Sequence, residues 1–368
     1  MLDNIIEVLN QIESNNYKAY IVGGFVRDYY LGLPSKDVDI CTNAKIEDLE
    51  KILSNIISKN ERYGSLVINY KGIKIEITTL RKDIDYENNR KPVNIEYVST
   101  IKEDVKRRDF TINSLYMDKN KNIIDLVDGR KDIDNKVIKV VGDSNYKIKE
   151  DVLRILRAIR FATTLNFRLD NDLIEAIINN KELLEKLSYT RRKEELDKIF
   201  NSNNNKYGIS LLLDLGLHKH LELDNLDTIV ITDNSIGIWA QLDAGNYCFS
   251  TREQRIIANI RKLLNLDITD EYIIYQYGLE LLKIVSVIKK IDYNLIVTKY
   301  NNLKIKSKKD IDITFNNIKD ILNLEAEEVK KIYNDIELQI VYNKLNNEFA
   351  DIKNYIINKY KGDATYEN

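Results

Sequence analysis

The aspartates Asp37 and Asp39 are separated by one residue in the segment DVDICT. Residues two apart on a β-strand project from the same face, so a strand here would place both carboxylates side by side. Mg²⁺ prefers carboxylate oxygens, and two Mg²⁺ ions ~4 Å apart can stabilise the charges that develop during phosphoryl transfer. The spacing therefore predicts that Asp37 and Asp39 are metal ligands and catalytic residues, although an isolated pair of this kind is more often an acidic strand end.

Two glycines and an arginine precede these aspartates. Gly23 and Gly24 have no side chain, so nucleotide phosphates can approach the backbone amides at the start of the helix that is predicted to follow. The helix dipole favours an anion at that end, and Arg27 lies a turn further along, within reach of the same phosphates. A Gly-Gly pair alone is most often a turn. Together with the aspartates, these residues predict a nucleoside triphosphate site.

The segment IVGGFVRDYYLGLPSKDVDICT resembles the hallmark of the polymerase-β-like nucleotidyltransferase superfamily, which combines a glycine turn and helix with metal-binding carboxylates. The form GGFVRD followed by DVD is similar to the branch that contains bacterial-class CCA-adding tRNA nucleotidyltransferases and bacterial poly(A) polymerases. The resemblance implies a template-independent transferase that uses two Mg²⁺ ions, takes CTP and ATP as substrates and releases pyrophosphate. Its implied partner is a tRNA that lacks part or all of its 3′ CCA end.

Glu76, in the segment KIEITTL, lies on a predicted strand next to the two aspartates. In the implied reaction it would be a third catalytic carboxylate, which activates the attacking 3′-hydroxyl group. A solvated glutamate on a strand is an equal alternative.

A second segment, RRDFTINSLY, resembles another signature of the same family, with Ser114 where alanine is usual. Two adjacent arginines are usually a solvated charge pair, so these residues alone do not predict a site. The resemblance implies that Arg108 contacts the nucleotide, and that Asp109 and Asn113 contact the ribose or support the site locally.

A third segment, EDVLRILRAIRF, predicts a helix start with Asp151 and Arg154 on one face, and alone it is explained by an acidic first turn. Cytosine and adenine both present an amine donor beside a ring-nitrogen acceptor, whereas uracil and guanine present a carbonyl acceptor beside an N–H donor. An aspartate beside an arginine would accept the first two bases only, because the wrong partner leaves buried polar groups unsatisfied. Similarity to the family's EDxxRxxRAxRF signature implies that Asp151 and Arg154 select the base, while Arg157 and Arg160 hold the nucleotide.

The polar stretch from Arg81 to Lys91 is similar to the flexible loop that CCA-adding enzymes need for the switch from C to A addition. Its presence argues against an enzyme that adds only C. An enzyme that adds only A, or a poly(A) polymerase, remains an open alternative. A non-catalytic RNA-binding protein that retained the fold is a further alternative, against which the intact DVD pair argues.

The elements that must position these residues change along the chain. Short β-branched or alternating runs predict strands at Tyr20–Val22, Val38–Cys41, Leu66–Tyr70, Ile73–Thr79 and Ile123–Leu126. From about Lys147 onward, glycine is sparse, proline is absent and apolar residues recur at helical spacing. The predicted fold is a polymerase-β-like α/β head followed by an all-α neck, body and tail. The predicted domains are a nucleotidyltransferase head at 1–143, a nucleotide-selecting neck at 144–200, a body at 201–290 and a tRNA-binding tail at 291–368.

The overall charge gives no attraction to a phosphate backbone, because 56 basic residues face 58 acidic ones and the net charge is −2. RNA binding must then come from local patches; the candidate is Lys304, Lys306, Lys308 and Lys309, although a lysine run is usually a solvated surface. Two cysteines are too few for a disulfide framework, and no apolar run approaches the ~18 residues of a membrane span. The N-terminal segment MLDNIIEVLNQIES resembles an amphipathic helix rather than a signal peptide, so we expect a cytoplasmic protein.

Overall fold

The computed structural model describes residues 1–35, 37–87 and 91–361 of the chain, and the side chains of these residues except 85–87 and 91–93. Its strands are β1 (Ala19–Val22), β2 (Val38–Thr42), β3 (Ile56–Asn60), β4 (Ser65–Tyr70), β5 (Ile73–Thr79), β6 (Arg81–Glu87), β7 (Lys91–Tyr97), β8 (Tyr116–Met117), β9 (Ile123–Ile124), β10 (Val137–Ile138) and β11 (Arg168–Leu169).

The α-helices are α1 (Leu2–Glu13), α2 (Gly24–Tyr30), α3 (Ile46–Ile52), α4 (Ile101–Asp104), α5 (Gly129–Asp134), α6 (Ser144–Glu150), α7 (Leu153–Leu165), α8 (Asn171–Asn180), α9 (Tyr189–Phe200), α10 (Asn205–Asp214), α11 (Leu217–His220), α12 (Ser235–Gln241), α13 (Thr251–Leu264), α14 (Glu271–Lys289), α15 (Tyr293–Asn302), α16 (Phe315–Leu322), α17 (Ala326–Val341) and α18 (Phe349–Ile356). Short 3₁₀ turns lie at Glu61–Tyr63, Val105–Arg107, Thr111–Asn113, Lys181–Lys186 and Lys308–Asp310. The segment Ile357–Lys361 is a π-helical turn after α18.

A mixed sheet forms the core of the N-terminal part, with the strand order β3-β4-β5-β2-β1-β8-β9 in the described residues. Strands β2 and β5 are parallel, and the other neighbouring pairs of this sheet are antiparallel. Strand β2, which follows Asp37 and contains Asp39, lies between β5 and β1. The sheet therefore places the aspartate segment next to the glycine turn that follows β1.

Helix α1 covers this sheet through an apolar stripe. Its buried residues Ile5, Val8, Leu9 and Ile12 follow the spacing that puts side chains on one face of a helix. The helix contacts β1, β4 and α3. The predicted N-terminal amphipathic helix is thus observed.

The stretch Arg81–Lys91 does not form the predicted loop where the structure describes it. Residues Arg81–Glu87 form β6, which pairs antiparallel with β7 in a separate two-stranded hairpin, with Arg81 opposite Tyr97 and Glu87 opposite Lys91. The prediction of a loop was wrong for these residues because it weighed their polarity and missed the matching segment KPVNIEY, whose backbone completes the ladder. Residues 88–90 lie outside the described part of the chain.

The chain is mainly helical after Lys147, as predicted. One exception is β11, which pairs parallel with β10 directly after α7. Helix α7 packs against α9 and α10 and carries Arg154, Arg157 and Arg160. The predicted α/β head followed by a helical remainder is confirmed.

The described chain divides into two compact units. One contains Met1–Asp227 with Asp243–Cys248, and the other contains Thr228–Leu242 with Phe249 onward. This division falls within the predicted body at 201–290, and the predicted four-part division stays a prediction. Among the described residues, no helix combines the length and apolar composition needed to cross a bilayer.

Candidate active site

The turn after β1 brings a glycine against a catalytic candidate. Val22 pairs directly with Asp39 across β1 and β2, and Gly23 follows with a positive φ of 83° before α2 begins. A Cβ atom at Gly23 would lie 3.3 Å from Oδ2 of Asp39. A residue without a side chain is therefore required here both by the backbone conformation and by the approach of the carboxylate.

Two carboxylates lie opposite each other in the sheet, and a third precedes one of the two strands. Asp39 and Glu76 are directly opposite each other on the parallel strands β2 and β5, and Asp37 precedes β2. Burial raises the pKa of Asp39 to about 6; the negative charges of Glu76 and Asp37 add to the rise, and Arg108 opposes it. A cation bound here would offset the repulsion between the carboxylates and lower the pKa of Asp39, because a nearby positive charge favours the ionised form.

A cavity of about 580 Å³ opens beside Asp39; we call it the first cavity. Its lining includes all the predicted catalytic and nucleotide-binding residues except Glu76, Asp151 and Arg154, namely Gly23, Gly24, Arg27, Asp37, Asp39, Arg108, Asp109, Asn113, Arg157 and Arg160. They come from the turn after β1, from α2, from β2 and the residue before it, from the RRDFTIN segment and from α7, all within the first compact unit. Four guanidinium groups therefore surround a space that begins at two carboxylates.

Arg27 is held in this cavity by two neighbours. Its Nε and Nη2 atoms donate to Oδ1 of Asp28 at 2.9 and 2.7 Å, and its Nη1 atom donates to Oδ1 of Asn113 at 2.6 Å. The side chain is largely buried. Asp28 and Asn113 thus orient Arg27.

Arg157 is paired with Asp109. Its Nε atom donates to Oδ2 of Asp109 at 2.9 Å, and its Nη2 atom donates to the same oxygen. Burial opposes ionisation of Asp109, yet the Arg157 guanidinium lowers the pKa of this carboxyl to about 2. Asp109 therefore supports an arginine rather than leaving its carboxylate free in the cavity.

Phe161 connects three of the arginines. The guanidinium carbons of Arg27, Arg157 and Arg160 lie 5.5, 5.4 and 4.2 Å from the centre of its ring. A ring face attracts cations, so one phenylalanine steadies charges that would otherwise repel each other. Arg160 is also paired with Glu195 of α9, with its Nε atom 3.2 Å from Oε2.

A second cavity of about 390 Å³ lies along the ends of β2 and β5 and shares Asp39 and Arg108 with the first. Its lining also includes Glu76, Tyr63 and Arg107. The predicted third carboxylate is therefore in the site, but in a different cavity from Asp37. Arg108 separates the two spaces, held by Asp104 and by the Tyr116 hydroxyl.

Asp151 and Arg154 are not in the lining of either cavity. Asp151 ends α6 in an extended conformation, and α7 begins only at Leu153, so the prediction that Asp151 shares a helical face with Arg154 was wrong. The Oδ1 atom of Asp151 accepts from the Leu153 amide at 3.0 Å, a local bond with which an aspartate ends one helix and starts the next. Arg154 donates to Oε2 of Glu150 and to the carbonyl of Lys147. Their role in base selection stays a prediction.

The predicted lysine cluster lies in the second unit, where three ammonium groups have local partners. Lys304 donates to Oδ1 of Asn346, Lys306 to the carbonyl of Tyr300, and Lys308 is 2.9 Å from Oε2 of Glu337. Lys309 is exposed. An RNA-binding role for these lysines stays a prediction.

Domain models of known proteins match successive parts of the chain. They are the "Poly A polymerase head domain" over residues 19–139, the "Probable RNA and SrmB-binding site of polymerase A" over 166–226 and the "tRNA nucleotidyltransferase domain 2" over 246–356. The CCA-adding enzyme of Ligilactobacillus salivarius is 31% identical to this chain over 93% of each sequence. The chain belongs to the family of CCA-adding enzymes.

Other family members agree over the same length. The CCA-adding enzyme of Lactococcus lactis is 34% identical, over 94% of this chain and 96% of its own. The crystal structure of the Bacillus stearothermophilus CCA-adding enzyme in complex with CTP is similar with a TM-score of 0.84 and 25% identity, covering 98% of each chain. The predicted family, fold class and enzymatic nature are therefore confirmed.

Several residues that shape the site of this CCA-adding family member were not predicted from the sequence. Asp104 lies three and four residues before the arginine pair, a helical spacing that could have identified it as their partner. Phe161 ends the quoted EDVLRILRAIRF segment, and its aromatic ring between arginines was a signal of the same kind. Tyr116 ends the quoted RRDFTINSLY segment in the same way and contacts Arg108. Glu195 reaches the site through the packing of α9 against α7, for which the sequence carries no local signal.

Proposed function

We propose that this chain adds C, C and A in sequence to the 3′ end of tRNA, using CTP and ATP and releasing pyrophosphate. The observation that carries the proposal is that Asp37 and Asp39 share one cavity with four arginines. Positive charges hold a triphosphate, and paired carboxylates are needed where its α-phosphate reacts. We also propose a cytoplasmic location, since tRNA and both nucleotides are available there.

The arginines of the first cavity supply the nucleotide site. Arg27 and Arg108 are fixed by carboxylate partners at the aspartate end, while Arg157 and Arg160 extend the positive surface along α7. Their positions are set before a ligand binds, so little side-chain entropy remains to be lost on binding. Gly23 and Gly24 leave the backbone open to the phosphates beside the carboxylates.

The carboxylate pair suits Mg²⁺. Mg²⁺ is usually held by one or two protein carboxylates, with water and substrate phosphate oxygens completing its octahedron. Asp37 and Asp39 line the same cavity and would be the protein ligands. When bound, two Mg²⁺ ions would activate the 3′-hydroxyl and neutralise the charge on the leaving pyrophosphate.

The second cavity would receive the acceptor end of the tRNA. An in-line displacement requires the attacking oxygen and the leaving pyrophosphate on opposite sides of the α-phosphate. Since the triphosphate occupies the arginine side of Asp39, the 3′-hydroxyl would approach from the side of Glu76. Glu76 is then placed to accept the hydroxyl proton, the role proposed for the third carboxylate.

Base choice would be made by Asp151 and Arg154. Arg154 lies in the first turn of α7, the helix that also carries Arg157 and Arg160, and Asp151 lies at the junction between α6 and α7. Their hydrogen bonds to the Leu153 amide and to Glu150 would have to be exchanged for bonds to the base edge. This exchange requires a rearrangement at the junction of α6 and α7 when the nucleotide binds.

The test uses purified protein, Mg²⁺ and three tRNAs that end before CCA, after C and after CC. CTP and ATP are supplied separately and together, and products are resolved at single-nucleotide length. Two C residues followed by one A support the proposal. Addition of A alone to the CC-ending tRNA would instead show an A-adding enzyme. Long A tails would show a poly(A) polymerase, and tRNA binding without transfer would show an RNA-binding protein. Asp37→Ala is the inactive control.

A further inference from the structure

Asp104 is a fully buried carboxylate that contacts two arginines with different oxygens. Its Oδ1 atom accepts from Nε of Arg107 at 2.8 Å and from the Arg81 amide at 3.3 Å. Its Oδ2 atom accepts from Nε of Arg108 at 3.0 Å and from the Tyr116 hydroxyl at 3.0 Å, and Nη2 of Arg108 lies 2.8 Å away. Its side chain has no solvent exposure.

The two arginines serve different cavities. Arg108 lines both the first and the second cavity, whereas Arg107 lines the second and not the first. They are adjacent in sequence, and the helical turn from α4 into Val105–Arg107 places them three and four residues after Asp104. The Asp104 carboxylate thus fixes Arg108 at the boundary of the two cavities and Arg107 in the second cavity.

The group formed by Asp104, Arg107 and Arg108 has a net positive charge. Burial opposes ionisation of Asp104, yet Arg108 and Arg107 lower the pKa of this carboxyl, so it is ionised at neutral pH. One carboxylate beside two guanidinium groups leaves one positive charge over, next to Asp39. The group can therefore attract phosphate oxygens while Asp104 keeps the two arginines from separating.

We propose that Asp104 is a positioning residue that aligns the nucleotide with the tRNA acceptor end by holding Arg108 and Arg107 together. It touches neither substrate and acts through the two arginines. This inference rests on the proposed function, in which the first cavity holds the triphosphate and the second holds the tRNA end. The rival explanation is a purely structural carboxylate that anchors the Arg81 amide and Tyr116.

The test is a double-mutant cycle of Asp104→Asn with Arg108→Ala, read out as the equilibrium dissociation constant for CTP. Loss of a charge-assisted hydrogen bond corresponds to a weakening of about 10- to 100-fold, so we expect Asp104→Asn to weaken CTP binding by that factor. In the Arg108→Ala background the same substitution should cost less than about threefold. Equal losses in both backgrounds would overturn the inference.

Steady-state kinetics should distinguish the role of Arg107 from that of Arg108. We expect Arg107→Ala to raise KM for tRNA while leaving CTP affinity unchanged, and Asp104→Asn to raise KM for both substrates. Asp125→Asn is the matched control, because Asp125 is also a buried carboxylate of the head and accepts three backbone amides outside both cavities. It should lower the thermal midpoint without changing either KM.

If Asp104→Asn does not fold, Tyr116→Phe removes the hydroxyl that bonds Asp104 and Arg108 and retains the ring. A smaller loss of CTP affinity that disappears in the Arg108→Ala background supports the inference; an unchanged affinity with a lowered thermal midpoint contradicts it. The CTP-binding cycle does not depend on transfer. A wild-type protein that binds CTP but extends no tRNA would therefore defeat the proposed function, while the cycle would still decide whether Asp104 acts through Arg108.

Discussion

Asp39 and Glu76 face each other across the parallel strands β2 and β5, so their carboxylates lie on the same face of the sheet. Because of this register, the charge of Glu76 is the largest influence after burial that raises the pKa of Asp39, to about 6. A metal ligand must be ionised. If Asp39 holds the proposed metal ion, this register makes metal binding sensitive to mildly acidic pH.

Glu76→Gln should move the acidic limb of the pH–rate profile to lower pH. The substitution removes a negative neighbour, so the pKa of Asp39 falls and the carboxylate stays ionised further into the acidic range. The measurement is single-turnover addition of C between pH 5 and 8. If Glu76 also accepts the hydroxyl proton, the plateau rate falls by about 100-fold or more. Glu47→Gln, an exposed glutamate on α3, is the control, and an unmoved limb would contradict the electrostatic coupling.

Asp39→Asn should abolish addition and at the same time stabilise the fold at neutral pH. The pKa of Asp39 is about 6 in the folded chain and about 3.9 in an unfolded one, so the folded state binds the proton more tightly. Stability therefore falls as pH rises from about 4 to about 6 and stays reduced above that range. We expect the variant to gain on the order of 2 kcal/mol at pH 7.5 and much less at pH 4, measured by urea unfolding in the absence of Mg²⁺. If Asp39→Asn changes the free energy of unfolding equally at both pH values, ionisation of the Asp39 carboxylate does not destabilise the fold.

The parts of the site that follow from local sequence could be predicted, and those that depend on packing could not. Residues 23–39 contain the Gly-Gly turn, Arg27 and the Asp37/Asp39 pair, so one short stretch of sequence predicts them. The fold brings all of them into one cavity. Glu195 reaches Arg160 because α9 packs against α7, a relationship that single-sequence periodicity does not carry. The hairpin of β6 and β7 was missed although the sequence carried its signal: residues 83–87 (DIDYE) and 93–97 (VNIEY) both alternate apolar and polar residues, and the stretch was interpreted from its polarity alone.

Gly23→Ala should reduce activity far more than a matched substitution elsewhere. Gly23 has a φ of +83°, and an added Cβ would lie 3.3 Å from Oδ2 of Asp39, so the methyl group displaces the carboxylate as well as straining the backbone. Gly72 is the control, because it has a φ of +81° and a Cβ atom added there would meet nothing within 4 Å. Both variants should lose about 1–3 kcal/mol of stability, and only Gly23→Ala should lower kcat. Equal activities would contradict a role for this contact.

The tail lysines separate into a structural and a solvent-exposed type. Lys308 lies 2.9 Å from Oε2 of Glu337, whose side chain is 3% exposed, so Lys308→Ala removes a partner of a buried carboxylate and should destabilise the chain by about 1 kcal/mol or more. Lys309→Ala should leave stability unchanged. If Lys309 contacts a phosphate, tRNA affinity falls and the slope of log affinity against log salt decreases by about one. An unchanged slope would remove Lys309 from the RNA surface.

Asp151→Ala should relax the choice of nucleotide rather than stop transfer. A carboxylate beside Arg154 accepts the amine of cytosine or adenine, and without it the penalty against UTP is reduced. We expect the ratio of kcat/KM for CTP to that for UTP to fall by about 10-fold or more, since about 1.4 kcal/mol corresponds to a factor of ten. Asp151 also bonds the Leu153 amide, so its loss lowers stability at the junction of α6 and α7.

The control for this loss is Asp143→Ala. Asp143 caps the start of α6 by accepting from the Tyr146 amide at 2.7 Å, and its removal should cost about 1 kcal/mol of stability without altering nucleotide choice. Glu150→Gln provides a second probe, because Glu150 holds Arg154 at 2.8 Å in the present arrangement. If Arg154 must leave Glu150 to meet the base, this variant keeps discrimination and raises CTP affinity. Unchanged discrimination in Asp151→Ala would instead leave Asp151 with its local role, the bond that ends one helix and starts the next.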